Sequence, residues 1–128
     1  MQIICHDMFG NTAAIAVLFT LDEKDNDLLS ILGFGVDDPI LALKVRNMEA
    51  ADISGTFDIG KAINSTQHHI SYTGSLTSPP CKEGVKWFIL LNKLPVSQKQ
   101  LDYFPILFGR DSNIRGIQDL NGRPLSII

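Results

Sequence analysis

The chain has little charge to spare. Its 128 residues include 11 Lys and Arg against 14 Asp and Glu, a formal net charge of −3. Nothing in that balance draws nucleic acid or an anionic membrane surface as a partner. Long hydrophobic runs are missing too. The longest, Ala13 to Phe19, falls far short of the ~20 apolar residues that a bilayer-spanning helix needs. Met1-Gln2-Ile3-Ile4 has no basic region followed by an apolar segment and a small-residue cleavage site, so no secretory leader is expected within this chain. There are no internal repeats, linkers or low-complexity segments. Only three histidines are present. His68 and His69 are neighbours that a strand would turn to opposite faces, and His6 is far away in sequence, so no shared metal site is expected from them. The two cysteines, Cys5 and Cys81, are expected as free buried thiols. Asp22, Glu23, Asp25 and Asp27 lack the spacing of a calcium loop and suit a solvated turn.

What is present is mostly strand. Ile3 to Ile4 and Thr12 to Leu21 have strand character, the second as a continuous apolar run covered on both faces. Asp25-Asn26-Asp27 offers N-caps for a short helix carrying Leu28, Leu29, Ile31 and Leu32, with Gly33 and Gly35 ending it. Pro39 to Met48 fits helix or strand. Ile70 to Tyr72 and Val85 to Leu91 are further strands, separated by an irregular loop through Pro79-Pro80. Ser97-Gln98-Lys99-Gln100 is a capping-box pattern for a helix with Leu101 and Phe104 on one face, ended by Pro105. Asn121-Gly122 marks a turn in an irregular tail from Asn113 to Arg123. Asn64-Ser65-Thr66 fits a glycosylation sequon, which matters only in a secreted protein. The fold class is α+β and β-rich.

The most specific stretch is Tyr72-Thr73-Gly74-Ser75-Leu76-Thr77-Ser78-Pro79-Pro80-Cys81-Lys82-Glu83-Gly84-Val85-Lys86-Trp87. It resembles the α-class carbonic anhydrase signature Tyr-x-Gly-Ser-Leu-Thr-Thr-Pro-Pro-Cys-x-Glu-Gly-Val-x-Trp, with Ser78 in place of the second threonine. The likeness continues through Phe57-Asp58, Leu94-Pro95-Val96-Ser97, Gln100-Leu101 and Phe104. It reaches the tail, where Asn113-x-Arg115, Gln118 and Leu120-Asn121-Gly122-Arg123 resemble the family's ending, with Gly116 replacing a proline. Ala14 to Phe19 resembles a strand that walls the family's substrate pocket, and an insertion separates Phe19 from Phe57.

The resemblance implies a large twisted, mainly antiparallel central sheet with short peripheral helices, of which residues 1–128 form the C-terminal half as one partial domain. It implies zinc-dependent reversible hydration of CO₂ to bicarbonate, the carbonate dehydratase (lyase) reaction. Thr77 would accept the hydrogen bond from zinc-bound hydroxide and orient it toward CO₂. Ser78 would hydrogen-bond bicarbonate, while Leu76, Ile4, Ile15 and Trp87 would form the apolar wall for the gas. The Pro79-Pro80 bond would be cis, as in the family, and Cys81 stands where secreted members carry a half-cystine.

The family's His-x-His pair, its proton-shuttle histidine and the glutamate that orients the threonine have no counterpart in this sequence. Met1 to His6 resembles the strand of the third zinc histidine, with Gln2 at the ligand position, and a glutamine amide is a poor zinc ligand. This chain alone is therefore expected to bind no catalytic zinc and to be inactive, a piece of a carbonic anhydrase. The alternative is a non-catalytic relative kept as a binding or interaction module. A half-sheet would also leave apolar edges such as Ala13 to Phe19 open, favouring self-association.

Overall fold

The computed structural model describes residues 1–35, 58–63, 68–109 and 113–128, with isolated positions 44, 47 and 56. Along the chain run β1 (Gln2–His6), β2 (Thr12–Ala16), β3 (Phe19–Leu21), α1 (Asp27–Ile31), α2 (Ile59–Ala62), β4 (His69–Ser75), β5 (Glu83–Leu90), β6 (Leu94–Val96), α3 (Gln98–Phe108) and β7 (Ser126–Ile127). The sheet-rich α+β class is as expected. Most of the Pro39–Met48 segment, the 64–66 sequon and Phe57 lie outside the described residues. Among the described residues no helix is long and apolar enough to cross a membrane. Contacts divide the chain into two compact units, Met1–Leu18 with Gly60–Lys93 and Arg115–Ile128, and Phe19–Ile59 with Leu94–Ile114.

The first unit holds a five-stranded sheet in the order β1-β2-β5-β4-β7. Neighbours pair antiparallel except β2 and β5, which run parallel from Ala13↔Lys86 to Ala16↔Ile89. The hairpin joining β1 to β2 is built by Asp7, whose carboxylate accepts from the backbone N–H of Phe9 and Asn11, both at 2.9 Å, and from Asn11 Nδ2 at 2.7 Å. Gly10 supplies the left-handed step at φ +84° that a residue with a Cβ adopts poorly. Ala14, Val85 and Trp87 form the buried cluster, with Ala16, Tyr72 and Leu76 packed on it.

Two expectations for the apolar run are corrected. Thr12 to Leu21 is two strands rather than one. Val17 exchanges backbone hydrogen bonds with Met1, and the chain then leaves the sheet, so that Phe19–Leu21 pairs with β6 instead. Nor does Ala13 to Phe19 form an open edge. The parallel pairing with β5 encloses β2, leaves Ala14 with no exposed surface, and makes β1 the outer strand.

In the second unit, β3 and β6 form a two-stranded parallel sheet, and α1 and α3 each begin at a side-chain cap. Asn26 caps α1 by accepting from the Leu29 N–H, and Gly33 and Gly35 follow at φ +89° and +77°. The Asp22 carboxylate accepts from the Lys24 N–H, and Asp22, Glu23, Asp25 and Asp27 are all exposed, as a solvated turn requires. Ser97 and Gln100 form the expected capping box on α3.

The buried Gln100 side chain does more than cap its own helix. Its Oε1 accepts from Asn26 N–H at 2.8 Å, and its Nε2 donates to Asn26 O at 2.9 Å and Ser30 Oγ at 3.0 Å. One amide thus serves the N-terminal turns of two helices. Two details of α3 differ from expectation. Pro105 lies inside the helix, and Gly109 in the left-handed region ends it by donating to Pro105 O. Leu101 is exposed, because the inward stripe is Gln100, Tyr103 and half-buried Phe104, spaced i, i+3, i+4.

Candidate active-site loop

The loop between β4 and β5 follows a register shift after Gly74, beyond which Ser75 pairs with Glu83 and closes the ladder. Three bonds then fix its course. Trp87 Nε1 donates to Ser75 O at 3.0 Å, Leu76 N–H to Lys82 O at 2.9 Å, and Cys81 N–H to Ser78 O at 2.8 Å. The Pro79-Pro80 bond is cis, and Cys81 takes a positive φ of 57°. Arg115, from the irregular C-terminal segment, donates through one guanidinium nitrogen to Ser75 Oγ at 2.8 Å and Leu76 O at 3.0 Å. Its half-buried cation stitches the start of the loop to a distant part of the chain.

Thr77 follows directly. Its Oγ1 donates to Oε1 of Gln2 on β1 at 3.0 Å, and both residues are exposed. Ser78 is exposed beside it. Cross-strand register puts Ile4, Ala14, Trp87 and Tyr72 in one row, on the sheet face that also carries Gln2. Trp87 is buried at 4%, its ring stacked on Tyr72 with centroids 6.3 Å apart, and Leu76 packs against the same cluster. Ile4 is partly open at 40%.

Gln2, Ile4, Leu76, Thr77 and Trp87 are therefore brought to one face. Ile15 is not. It pairs with Ile3 and Phe88, so strand alternation turns it to the opposite face, away from Ile4 and Trp87. The sequence pattern Asn113-x-Arg115 does not by itself reveal Arg115 as a loop anchor, because its partners lie about 40 residues upstream.

The histidines stay apart. His6 Nδ1 lies 3.1 Å from Thr12 Oγ1, His69 sets its ring edge-on to Phe88 at 5.6 Å, and His68 is exposed ahead of β4. Among the described residues no group of three His, Cys, Asp or Glu could hold a metal ion. Cys5 and Cys81 are free, but neither is buried as expected. Cys5 is exposed on the outer strand and Cys81 is half-buried in the loop.

Comparison with known proteins agrees with this arrangement. The eukaryotic-type carbonic anhydrase family matches residues 7–127. A carbonic anhydrase of Klebsiella pneumoniae is 28% identical over 123 residues, 96% of this chain and 46% of that protein. Carbonic anhydrase 6 of Mus musculus is 35% identical over 98 residues, 74% of this chain and 29% of that one. Among solved structures, the α-carbonic anhydrase from Thermovibrio ammonificans in complex with the inhibitor sulfanilamide superimposes with a TM-score of 0.81 at 28% identity, covering 97% of this chain and 51% of that one. Dioscorin complexed with ascorbate shares the fold, with a TM-score of 0.78 at 22% identity over 98% of this chain and 51% of that one. The chain thus spans about half the length, or less, of the proteins it matches. On the family match, the relatives and the shared fold, this chain belongs to the α-class carbonic anhydrase family.

Proposed function

We propose that residues 1–128 are the C-terminal half of an α-carbonic anhydrase domain, carrying the CO₂/bicarbonate loop of the family without a zinc site of their own. The coverage of about half of these solved relatives supports this reading. The observation that carries the reading is the 3.0 Å hydrogen bond from Thr77 Oγ1 to Gln2 Oε1. In this reading Gln2 stands where the family has its third zinc histidine, and its amide oxygen is taken up by the threonine hydroxyl. The donors available at this face do not fit zinc, which favours imidazole, thiolate and carboxylate over a neutral amide. Thr77, Ser78, Leu76, Ile4 and Trp87 keep the composition of a small-substrate wall, polar at the loop and apolar beneath it. On its own the chain hydrates no CO₂.

The Gln2 amide equally suits a second reading, a non-catalytic relative that uses this face for binding. A titration of the purified chain with zinc, followed by elemental analysis and a stopped-flow CO₂-hydration assay, tests both. Absence of stoichiometric zinc and of hydration is expected; a bound equivalent of zinc with turnover would overturn the proposal. The intact mass of the native protein then separates the two readings. A longer product carrying a His-x-His strand favours an enzyme, and a longer product with that pair substituted favours the binding module.

A further inference from the structure

Asn121 and Gly122 form the tip of a tight turn in the C-terminal segment. Arg123 N–H donates to Leu120 O at 2.9 Å, and the two central residues take φ +48° and +74°, the pattern of a type I′ turn. Both are exposed, and a Cβ built on Gly122 would meet nothing within 4 Å. Among the described residues neither the Gly122 N–H nor the Asn121 side-chain amide makes a hydrogen bond. Arg123 braces the turn. Its Nε donates to Leu120 O at 2.8 Å, its Nη2 to Asp119 O, and its Nη1 reaches Thr73 O on β4 at 3.5 Å. Asparagine is a chemically labile residue, and an unengaged, unshielded main-chain N–H one position on is the nucleophile its side chain is most exposed to. Every other asparagine in the chain is followed by a residue whose side chain crowds that N–H: Thr12, Asp27, Met48, Ser65, Lys93 or Ile114.

We propose that Asn121 is a site of spontaneous covalent modification, cyclising onto Gly122 and reopening chiefly as isoaspartate, and that this product dismantles the turn. The Gly122 nitrogen gives its proton to hydroxide and attacks Asn121 Cγ. The new N–Cγ bond forms as the Cγ–Nδ2 bond breaks, and Nδ2 leaves as ammonia with a proton from solvent. Water then adds to one carbonyl of the cyclic imide and breaks that carbon's bond to the Gly122 nitrogen, which regains a proton. Opening at Cγ gives aspartate on the original backbone. Opening at the α-carbonyl gives isoaspartate, in which the main chain runs through Cβ and Cγ. The added main-chain carbon moves Arg123 N–H away from Leu120 O, so the bond that closes the turn is lost. With it goes the pose that sets the guanidinium on Leu120 O and Thr73 O. A new carboxylate also appears in a polar hollow that Asn121 lines together with Arg115, Arg123, Glu83 and Asp119.

The reacting groups are neighbours in the chain, so the chemistry is independent of the metal reading and of what packs elsewhere on the domain. To test it, the purified chain is aged in mildly alkaline buffer and digested with trypsin, which cuts after Arg115 but not before Pro124. The resulting peptide, Gly116–Ile128, holds Asn121 as its single asparagine. Its conversion to the acid, located by fragmentation, should run ahead of that at every other asparagine. Methylation by an isoaspartyl methyltransferase should identify the main product. Asn121→Gln has to close a larger ring and should convert roughly tenfold more slowly or less. In the aged chain the Arg123 amide should exchange faster with solvent. Freshly prepared Asn121→Asp, which adds the charge on an unchanged backbone, should keep that amide protected. Asn121 left intact while another asparagine converts would overturn the proposal, as would equal conversion in Asn121→Gln or aspartate as the sole product. Conversion with Arg123 protection undiminished would overturn the dismantling of the turn.

Discussion

Thr77 Oγ1 donates to Gln2 Oε1 across 3.0 Å, joining the signature loop to the outer strand of the sheet through two side chains. Both are exposed, so the bond competes with water and contributes below about 1 kcal/mol. A double-mutant cycle of Thr77→Val and Gln2→Leu should return a coupling of that size. Gln2→His supplies one imidazole where three zinc ligands are needed. On the proposed reading, that variant shows no CO₂ hydration in a stopped-flow assay.

Gln100 is almost completely buried, at 1% exposure, and bonds the backbone of Asn26 from both ends of its amide. Gln100→Ala strands the Asn26 N–H, leaves Asn26 O with only the Ser30 N–H, and removes the capping box on α3. The expected loss is about 2–4 kcal/mol of unfolding free energy, read from urea denaturation. Gln100→Leu should be no better, because shape is restored but the polar partners are not.

Arg115 donates twice to the two residues that precede Thr77. Arg115→Met should cost about 1–3 kcal/mol and speed amide exchange from Leu76 to Cys81 more than in β5. Arg115→Lys restores the charge but not the reach and planar geometry that set Nη1 between the two acceptors, and should recover only part of the loss.

Gly74 sits where a Cβ would come within 2.8 Å of Tyr72 Cε2 and 3.2 Å of Trp87 Cδ1. Gly74→Ala therefore forces the stacked pair apart. A destabilisation of about 1–3 kcal/mol and a shift in Trp87 fluorescence are expected.

Asp7 carries the acid sensitivity of the β1–β2 hairpin. The Asn11 side chain, and then the backbone N–H groups of the turn, hold its carboxyl below the ordinary value of 3.8. A depressed carboxyl contributes stability above its unfolded pKa and loses it as pH falls through the folded one. The Phe9 and Asn11 amide resonances should therefore hold steady above the ordinary carboxylate range and move below it. In Asp7→Ala those acid shifts should vanish.

Local chemistry made some of this legible in the sequence. Asn26 and the Ser97–Gln100 box were readable as caps because a cap is a bond across three residues. Asn121 and Gly122, now at φ +48° and +74°, were readable as a turn because of their tolerance for that region. The signature from Tyr72 to Trp87 identified the loop. What could not be read depended on partners far along the chain. The break after Val17 follows from β3 joining β6, and the facing of Ile15 follows from its register with Ile3 and Phe88. Gln100 finds Asn26 across 74 positions, and no local pattern encodes that. Pro105 misled for the opposite reason: its local rule was overridden by a helix that continues to Gly109.

The parallel pairing of β2 with β5 also sets a timetable for synthesis. The β1–β2 hairpin is complete once Ala16 has emerged, but the strand that covers its other side starts at Glu83. Ribosomes add about 5–20 residues per second. For several seconds, then, the side of β2 from Ala13 to Ala16 that β5 will pair stays open on a nascent chain.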